Sequence, residues 1–293
     1  MSVAAMPELP EVENYARDLK PLLVGRRIEA VDVHWPRAVA NLSVEEFRRG
    51  LLGRQIVNTD RRGKYLLFPL DNRWTLVLHL RMTGKLRLAP ANAEPDSDPY
   101  TRVVLRLSGG QVLLFRDQRK FGRFYLVEDP AQVLKGLGPE PLQDSFTPLD
   151  LFHAVQGRRA AIKALLLDQH IVAGVGNIYA DEALFLAGID PRRPGASLTL
   201  ADCSRLHTCL RQVLAEAIRE GGSTLGGSSL GNYQRPLGIP GRYQLRHRVY
   251  GRAGQPCPSC GTPIQRVKVA QRSTHFCPRC QLSGPVASDG SPR

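Results

Sequence analysis

Four of the six cysteines fall in two pairs, Cys257-Pro-Ser-Cys260 and Cys277-Pro-Arg-Cys280, with sixteen residues between them. Two thiolates three positions apart on a tight knuckle can face one ion, and two such knuckles complete a tetrahedral shell. Four protein ligands leave no open position for water or substrate, so the pattern predicts one structural zinc ion. The stretch between the pairs reads as two short strands joined by a turn. Such a hairpin is too small to fold alone, and in such sites metal-binding energy, of order 10–16 kcal/mol, is folding energy. A redox Cys-x-x-Cys or two disulfides are the competing readings. A redox pair leaves the second pair unexplained, and the first fifteen residues lack the basic start and apolar run of a secretory signal. Cys203 and Cys209, six apart in one expected helix, read as packing residues.

Charge narrows the partner. The 293 residues carry 40 Lys and Arg against 27 Asp and Glu, a formal net charge of +13. Its distribution says more than its sum. From Gly221 to Cys280 there is no Asp or Glu, whereas Arg235, Arg242, Arg246, Arg248, Arg252, Arg266, Lys268, Arg272 and Arg279 all fall there. Solvated faces usually carry both signs. A one-signed field without a basic amphipathic helix favours nucleic acid over a membrane surface. No run approaches the ~18 apolar residues of a membrane span.

The length suits about two domains. After Pro10, the stripe Val12, Tyr15, Ala16, Leu19 and Leu23 predicts a helix that Gly25 can stop. Strands are expected over Ile28–Trp35, Tyr65–Leu70, Thr75–Leu80, Lys85–Leu88, Arg102–Leu107, Val112–Arg116 and Phe124–Val127, with Gly109-Gly110 as a hairpin turn. Asn92–Pro99 reads as a surface loop. Gly136, Gly138, Pro139 and Pro141 mark a linker, after which the period turns helical over Leu149–Val155, Ala160–Gln169, Ile178–Ala187 and Ser204–Arg219. Gly222–Gly241 reads as a flexible loop and Leu282–Arg293 as a disordered tail. Strands first and helices afterwards indicate an α+β multidomain chain. Gly174-Val-Gly-Asn177 lies between helical patterns, with no strand before it to make a dinucleotide fingerprint. It reads either as a plain interhelical turn or as one whose free N–H groups and Asn177 amide grip a DNA phosphate.

Five segments together resemble the bacterial formamidopyrimidine-DNA glycosylases of the Fpg/Nei family: Met6-Pro-Glu-Leu-Pro-Glu-Val-Glu13, Gly174-Val-Gly-Asn-Ile-Tyr-Ala180, Val249-Tyr-Gly-Arg252, Ala270-Gln-Arg-Ser-Thr274 and the cysteine pairs. The likeness runs from Met6 to about Gln281. It implies an N-terminal β-sandwich with flanking helices, then a helix-two turns-helix domain and a four-cysteine zinc finger. The expected boundaries are a leader over 1–6, a catalytic domain over 7–134, a linker over 135–148, a DNA-binding domain with a lesion-capping loop over 149–246, the zinc hairpin over 247–281 and a tail over 282–293.

The resemblance also implies a reaction: excision of oxidised purines such as 8-oxoguanine and formamidopyrimidines, then nicking of the abasic strand by β,δ-elimination. Pro7 matches the amine that attacks C1′ of a flipped nucleotide, and Glu8 the acid/base carboxylate. From local pattern alone the two read as an ordinary acidic helix lead-in. Lys64 matches a lysine on the phosphate near the lesion. Asn177 and Arg272 match the clamp on flanking phosphates, and Lys163 a lysine linked to recognition of the oxidised purine. Met82, Arg119 and Phe121 match the triad that fills the hole left by the flipped base; for Met82 and Phe121 the plain alternative is core packing. The implied partner is double-stranded DNA with oxidised bases or abasic sites, met in the cytoplasm by a monomer with no membrane contact.

Departures from the family pattern are Arg81, where glycine is common, Gln118-Arg119-Lys120 in place of Pro-Arg-Arg, and a longer Ser223–Gln244 segment. A further departure is Met1–Ala5 ahead of the motif. While anything precedes Pro7, its nitrogen is an amide with a delocalised lone pair, so the active form is expected to begin at Pro7. An oxidised-pyrimidine specialist, whose usual start has Gly at the Leu9 position, and a non-catalytic zinc DNA-binding protein are the alternatives.

Overall fold

The computed structural model describes residues 6–90, 98–225 and 233–284. The expected leader up to Ala5, most of the Asn92–Pro99 loop, the centre of the Ser223–Gln244 segment and the tail beyond 284 lie outside the described residues.

The chain divides into two compact units. The first holds residues up to Lys135 together with Glu220–Gln244; the second holds Gly136–Arg219 and everything from Leu245. The Glu220–Gln244 segment, read from sequence as part of the helical domain, therefore packs within the first unit. The expected linker is also not free chain: Phe146 is buried in the second unit against His207, whose ring nitrogen contacts the Phe146 carbonyl at 2.8 Å.

In the first unit, helix α1 (Leu9–Leu23) has Pro10 in its first turn, where a missing N–H costs nothing, and buries the expected stripe. Eight strands follow: β1 (Ile28–Val33), β2 (Asp60–Arg62), β3 (Tyr65–Pro69), β4 (Thr75–His79), β5 (Gly84–Pro90), β6 (Thr101–Leu107), β7 (Gln111–Asp117) and β8 (Arg123–Val127). They form two antiparallel sheets, ordered β1-β6-β7-β5 and β2-β3-β4-β8. Alternation along the strands turns Leu66, Phe68, Leu76 and Leu78 of one sheet and Leu86, Val103, Leu105, Leu113 and Phe115 of the other into one core, which α1 also enters through Tyr15 and Leu19. This is the expected sandwich. Strand β2 and helices α2 (Val44–Leu51) and α3 (Ala131–Leu134) escaped the sequence reading. Strand β2 is Asp-Arg-Arg, with no apolar residue to betray it. Helix α2 buries only Phe47 and Leu51, although its Ser43/Glu46 capping box was a readable signal. The short α3 ends the main run of this unit.

The second unit contains α4 (Pro148–Val155), α5 (Ile162–Leu167), α6 (Asn177–Leu186) and α7 (Leu200–Arg219), then the hairpin of β9 (Gln265–Val269) and β10 (Arg272–Phe276). Helix α6 is buried almost all round, including Asp181 and Glu182. A helix with acidic residues inside must hand them partners, and those partners shape the site. Cys203 is wholly buried on α7, as its packing role requires. Among the described residues no helix is long and apolar enough to cross a membrane.

Candidate active site and metal centre

At the start of α1, Pro7 and Glu8 are buried, and Glu8 is the N-cap. Its N–H donates to Glu11 Oε2 at 2.8 Å, and its own carboxylate accepts from the Glu11 N–H, a reciprocal capping box. The other Glu11 oxygen, Oε1, accepts the Ser223 N–H at 2.8 Å. Glu11 thus ties the Pro7-Glu8 turn to the segment after α7. Gly222 makes the approach possible: its φ is +82°, and a Cβ there would stand 2.9 Å from Glu11 Oε1.

Lys64 occupies the two-residue turn between β2 and β3, next to Gly63 at φ +55°, and is 5% exposed. Its charge and that of Arg81 add to burial in holding His79 neutral, with a pKa of about 3. His79 Nδ1 then accepts the Arg81 N–H at 3.0 Å, so the proton of the neutral ring belongs on Nε2.

Two turns present the expected intercalating triad. Met82 lies between β4 and β5, and Arg119 and Phe121 lie between β7 and β8. Asp117, itself buried, organises both turns. One carboxylate oxygen accepts the Thr83 hydroxyl and the Arg119 N–H, the latter at 3.2 Å; the other accepts the Gly122 N–H at 2.7 Å. Arg119 lies 4.8 Å over the Phe121 ring, which is 45% exposed. Phe121 is therefore not a core residue, and Met82 is only half-buried.

In the second unit, Asn177 opens α6 and donates through Nδ2 to the Ser273 carbonyl at 3.0 Å. Arg272 stands exposed beside Ser273 at the tip of the hairpin, where Ala270 and Gln271 take φ of +46° and +62°. That two-residue turn usually selects Asn-Gly, so this tip stores strain next to the candidate contact residue Arg272. Lys163, which the resemblance links to recognition of the oxidised purine, is wholly buried. Its ammonium donates to the Ser273 carbonyl at 3.0 Å and the Thr274 hydroxyl at 2.8 Å and lies 2.7 Å from the Asp181 carboxylate. As placed, it braces the strand that carries Arg272.

Cys257, Cys260, Cys277 and Cys280 bring their sulfurs within 4.8 Å of one another, at 3.8 Å for Cys257 to Cys280 and 3.5 Å for Cys260 to Cys277. A tetrahedron with Zn–S bonds of about 2.3 Å has S···S edges of about 3.8 Å, while a disulfide needs about 2.05 Å. The residues fit one structural zinc ion and neither competing reading. The Ser259 and Cys280 N–H groups each point at a sulfur at 3.4 Å, and Gln281 joins the Cys277 N–H to the Ile189 carbonyl, so both knuckles are held from outside the shell.

Three family models match consecutive parts of the chain: the formamidopyrimidine-DNA glycosylase N-terminal domain over residues 6–124, the formamidopyrimidine-DNA glycosylase H2TH domain over 137–229, and the zinc finger found in FPG and IleRS over 254–282. A formamidopyrimidine-DNA glycosylase from Chloroflexus aurantiacus is 50% identical, over 95% of this chain and 98% of the relative. The chain belongs to the formamidopyrimidine-DNA glycosylase family. Another such glycosylase, from Thermus thermophilus, is 48% identical over 96% of this chain and all of its own. The crystal structure of the MutM (FPG) protein from Thermus thermophilus superposes with a TM-score of 0.84 at 48% identity, covering 95% of this chain and 100% of that one. A Lactococcus lactis FPG mutant in complex with a Fapy-dG containing DNA gives a TM-score of 0.86 at 37% identity, covering 94% and 99%.

Within this glycosylase family framework, sequence reasoning missed Glu11, Asp117, Asp181 and Glu182. Each is an acidic residue that ends buried, and each fixes backbone that the candidate contact residues stand on. Glu182 accepts the N–H groups of Arg248, Val249 and Tyr250 at 2.8–2.9 Å, which anchors the Val249-Tyr-Gly-Arg252 motif. Burial raises its pKa even so. The only signal available was position: Glu11 lies inside a segment already singled out, and Asp117, Asp181 and Glu182 lie within two residues of one.

Proposed function

We propose that this chain is a base-excision repair enzyme that removes oxidised purines, 8-oxoguanine and formamidopyrimidines, from duplex DNA and then nicks the abasic strand by β,δ-elimination. The observation that carries the proposal is the match of all three family models in order, together with 48–50% identity to formamidopyrimidine-DNA glycosylases over at least 95% of the chain.

The lesion nucleotide leaves the stack, at a cost of a few kcal/mol, before chemistry can occur. Pro7 nitrogen, freed from any preceding residue, attacks C1′ as a secondary amine with an ordinary pKa of roughly 7.7–8. The C1′–base bond breaks as the N–C1′ bond forms, and the base departs with the proton that the proline nitrogen gives up. Glu8 protonates the ring oxygen as the sugar opens to the iminium, then accepts the C2′ proton in the elimination that expels the 3′ phosphate. Lys64 neutralises a nearby phosphate. Arg119 faces the orphaned cytosine while Met82 and Phe121 wedge into the stack. Asn177 and Arg272 hold flanking phosphates, with Lys163 bracing Arg272 from behind. The zinc finger supplies the folded hairpin that presents Arg272. The enzyme works in the cytoplasm as a monomer.

Borohydride reduction of the protein beginning at Pro7 on an 8-oxoguanine duplex tests this. A covalent adduct is expected, at least tenfold weaker for Pro7→Gly and absent when Met6 stays attached. Excision at full rate with no trappable adduct, or with Met6 retained, would overturn the mechanism.

A further inference from the structure

Among the described residues, strands β5 and β7 carry an uncompensated charge in their register. Lys85 on β5 pairs directly with Arg116 on β7. Like charges in facing positions of an antiparallel pair are destabilising, so this pairing needs a counter-charge. Arg116 has one, in Asp98. Lys85 has none: among the described residues it makes no hydrogen bond or ion pair, although it is half-buried and sits beside Arg116. Burial and Arg116 together pull its pKa down to about 8.

This lysine lines a cavity of about 270 Å³ in the first unit, between the β5 and β7 edge and residues 234–238. Arg87, two residues along on the same face of β5, also lines it and is also without an ionic or hydrogen-bonding partner among the described residues. Gln234 and Arg235 close the far side. Arg235 is held by a bidentate contact to Asp18 of α1, and the Leu88 N–H donates to the Pro236 carbonyl at 3.1 Å, so the wall is anchored. Of the four cations in the lining, Arg116 and Arg235 are balanced by Asp98 and Asp18. Among the described residues, the two positive charges of Lys85 and Arg87 remain unmatched.

We propose that this cavity is a phosphate site, in which Lys85 and Arg87, with Gln234 beside them, take a phosphate dianion or a phosphate ester. The chemistry fits: an ammonium as a point charge, a guanidinium for paired oxygens, an amide N–H, and a wall of paired arginines that are already ordered. The cavity has room for more than one phosphate group. The phosphate could come from DNA backbone or from a free phosphorylated solute, and experiment separates the two. None of the residues holds a place in the excision chemistry above, so the inference does not rest on that reading.

The zinc-loaded protein is titrated with inorganic phosphate and pyrophosphate, without DNA, by calorimetry and thermal unfolding, against chloride at equal ionic strength. Saturable binding with a rise in Tm is expected, weakened at least tenfold by Lys85→Gln and by Arg87→Gln. Lys85→Glu, which turns the like-charge pair into an ion pair with Arg116, is expected to raise Tm in phosphate-free buffer and to abolish the phosphate effect. This crossover also shows that loss of binding is not loss of fold. In parallel, the salt dependence of duplex binding is measured for wild type and Lys85→Gln. A slope reduced by about one assigns the site to a DNA phosphate; an unchanged slope with phosphate binding intact assigns it to a free solute. If the solutes do not bind and the slope is unchanged by Lys85→Gln, the proposal is overturned.

Discussion

The Lys163 ammonium lies 2.7 Å from the Asp181 carboxylate, with both side chains wholly buried. Asp181 also accepts the His275 N–H at 2.9 Å, and Lys163 also holds Ser273 and Thr274, so one ion pair locks α5 and α6 to β10. Removing one partner of a buried pair leaves an unmatched charge and costs about 3–5 kcal/mol, whereas removing both charges costs much less. Asp181→Asn and Lys163→Met should each destabilise the second unit by that amount. The Asp181→Asn/Lys163→Met double variant should lose under about 2 kcal/mol, a coupling that urea unfolding reads directly. Each single variant should also weaken binding to abasic duplex, because β10 carries Arg272, the proposed phosphate contact.

The contrast between this pair and the zinc centre shows what the sequence could and could not reveal. The four ligand cysteines were legible because a knuckle is local: the constraint and the residues that satisfy it lie within three positions. Lys163 was legible only through family likeness, and as a recognition residue, because its partners lie 18, 110 and 111 positions away. Glu11 is the same case, reaching Ser223 across 212 positions. Pro7 and Glu8 read locally as an acidic helix lead-in, and the structure makes Glu8 the N-cap of α1. The strand pattern was legible where alternation was strong and failed at β2, whose three polar residues are placed by pairing with β3 and by the ion pair of Arg61 with Glu13 on α1. Nothing in composition or periodicity could set Lys85 against Arg116, since register is fixed by the whole sheet.

Asp117 joins the Met82 turn to the Arg119-Phe121 turn through Thr83, Arg119 and Gly122. Hydrogen bonds to a charged acceptor contribute about 1.5–3 kcal/mol each in net terms, and the carboxylate serves two turns at once. Asp117→Ala should destabilise the first unit by about 3 kcal/mol. Asp117→Asn, which keeps one acceptor oxygen, should cost about half of that. The excision rate on 8-oxoguanine opposite cytosine should fall more than the rate of nicking a preformed abasic site, because in the proposed mechanism only the first requires Met82, Arg119 and Phe121 to hold the base out. Single-turnover assays on the two duplexes check the split.

Arg81 replaces the glycine common in the family, and its φ is +55°. A non-glycine residue in the left-handed region costs roughly 1–2 kcal/mol, partly offset by the chain entropy that glycine loses on folding. Arg81→Gly should therefore stabilise the first unit by about 0.5–1 kcal/mol. It should also raise the His79 pKa, since the Arg81 charge is one cause of its depression. Denaturant unfolding at pH 7 measures the first effect, and NMR titration of the His79 ring the second.

His79 makes stability acid-sensitive, and the sign follows from its pKa. The folded value is about 3 against an ordinary 6.5, a depression caused first by burial and then by Arg81 and Lys64. Above pH 6.5 the ring is neutral in both states and contributes no pH dependence. Below it the unfolded chain binds a proton that the folded chain refuses, so stability falls by up to about 1.4 kcal/mol per pH unit until the folded pKa is reached. His79→Gln can still accept the Arg81 N–H through its side-chain oxygen but does not titrate. Between pH 6 and 4 its unfolding free energy should decline less steeply than that of wild type, by about 1 kcal/mol per pH unit. Equal slopes for the two proteins in urea unfolding across that window would show that His79 is protonated in the folded state, contrary to its buried, neutral assignment.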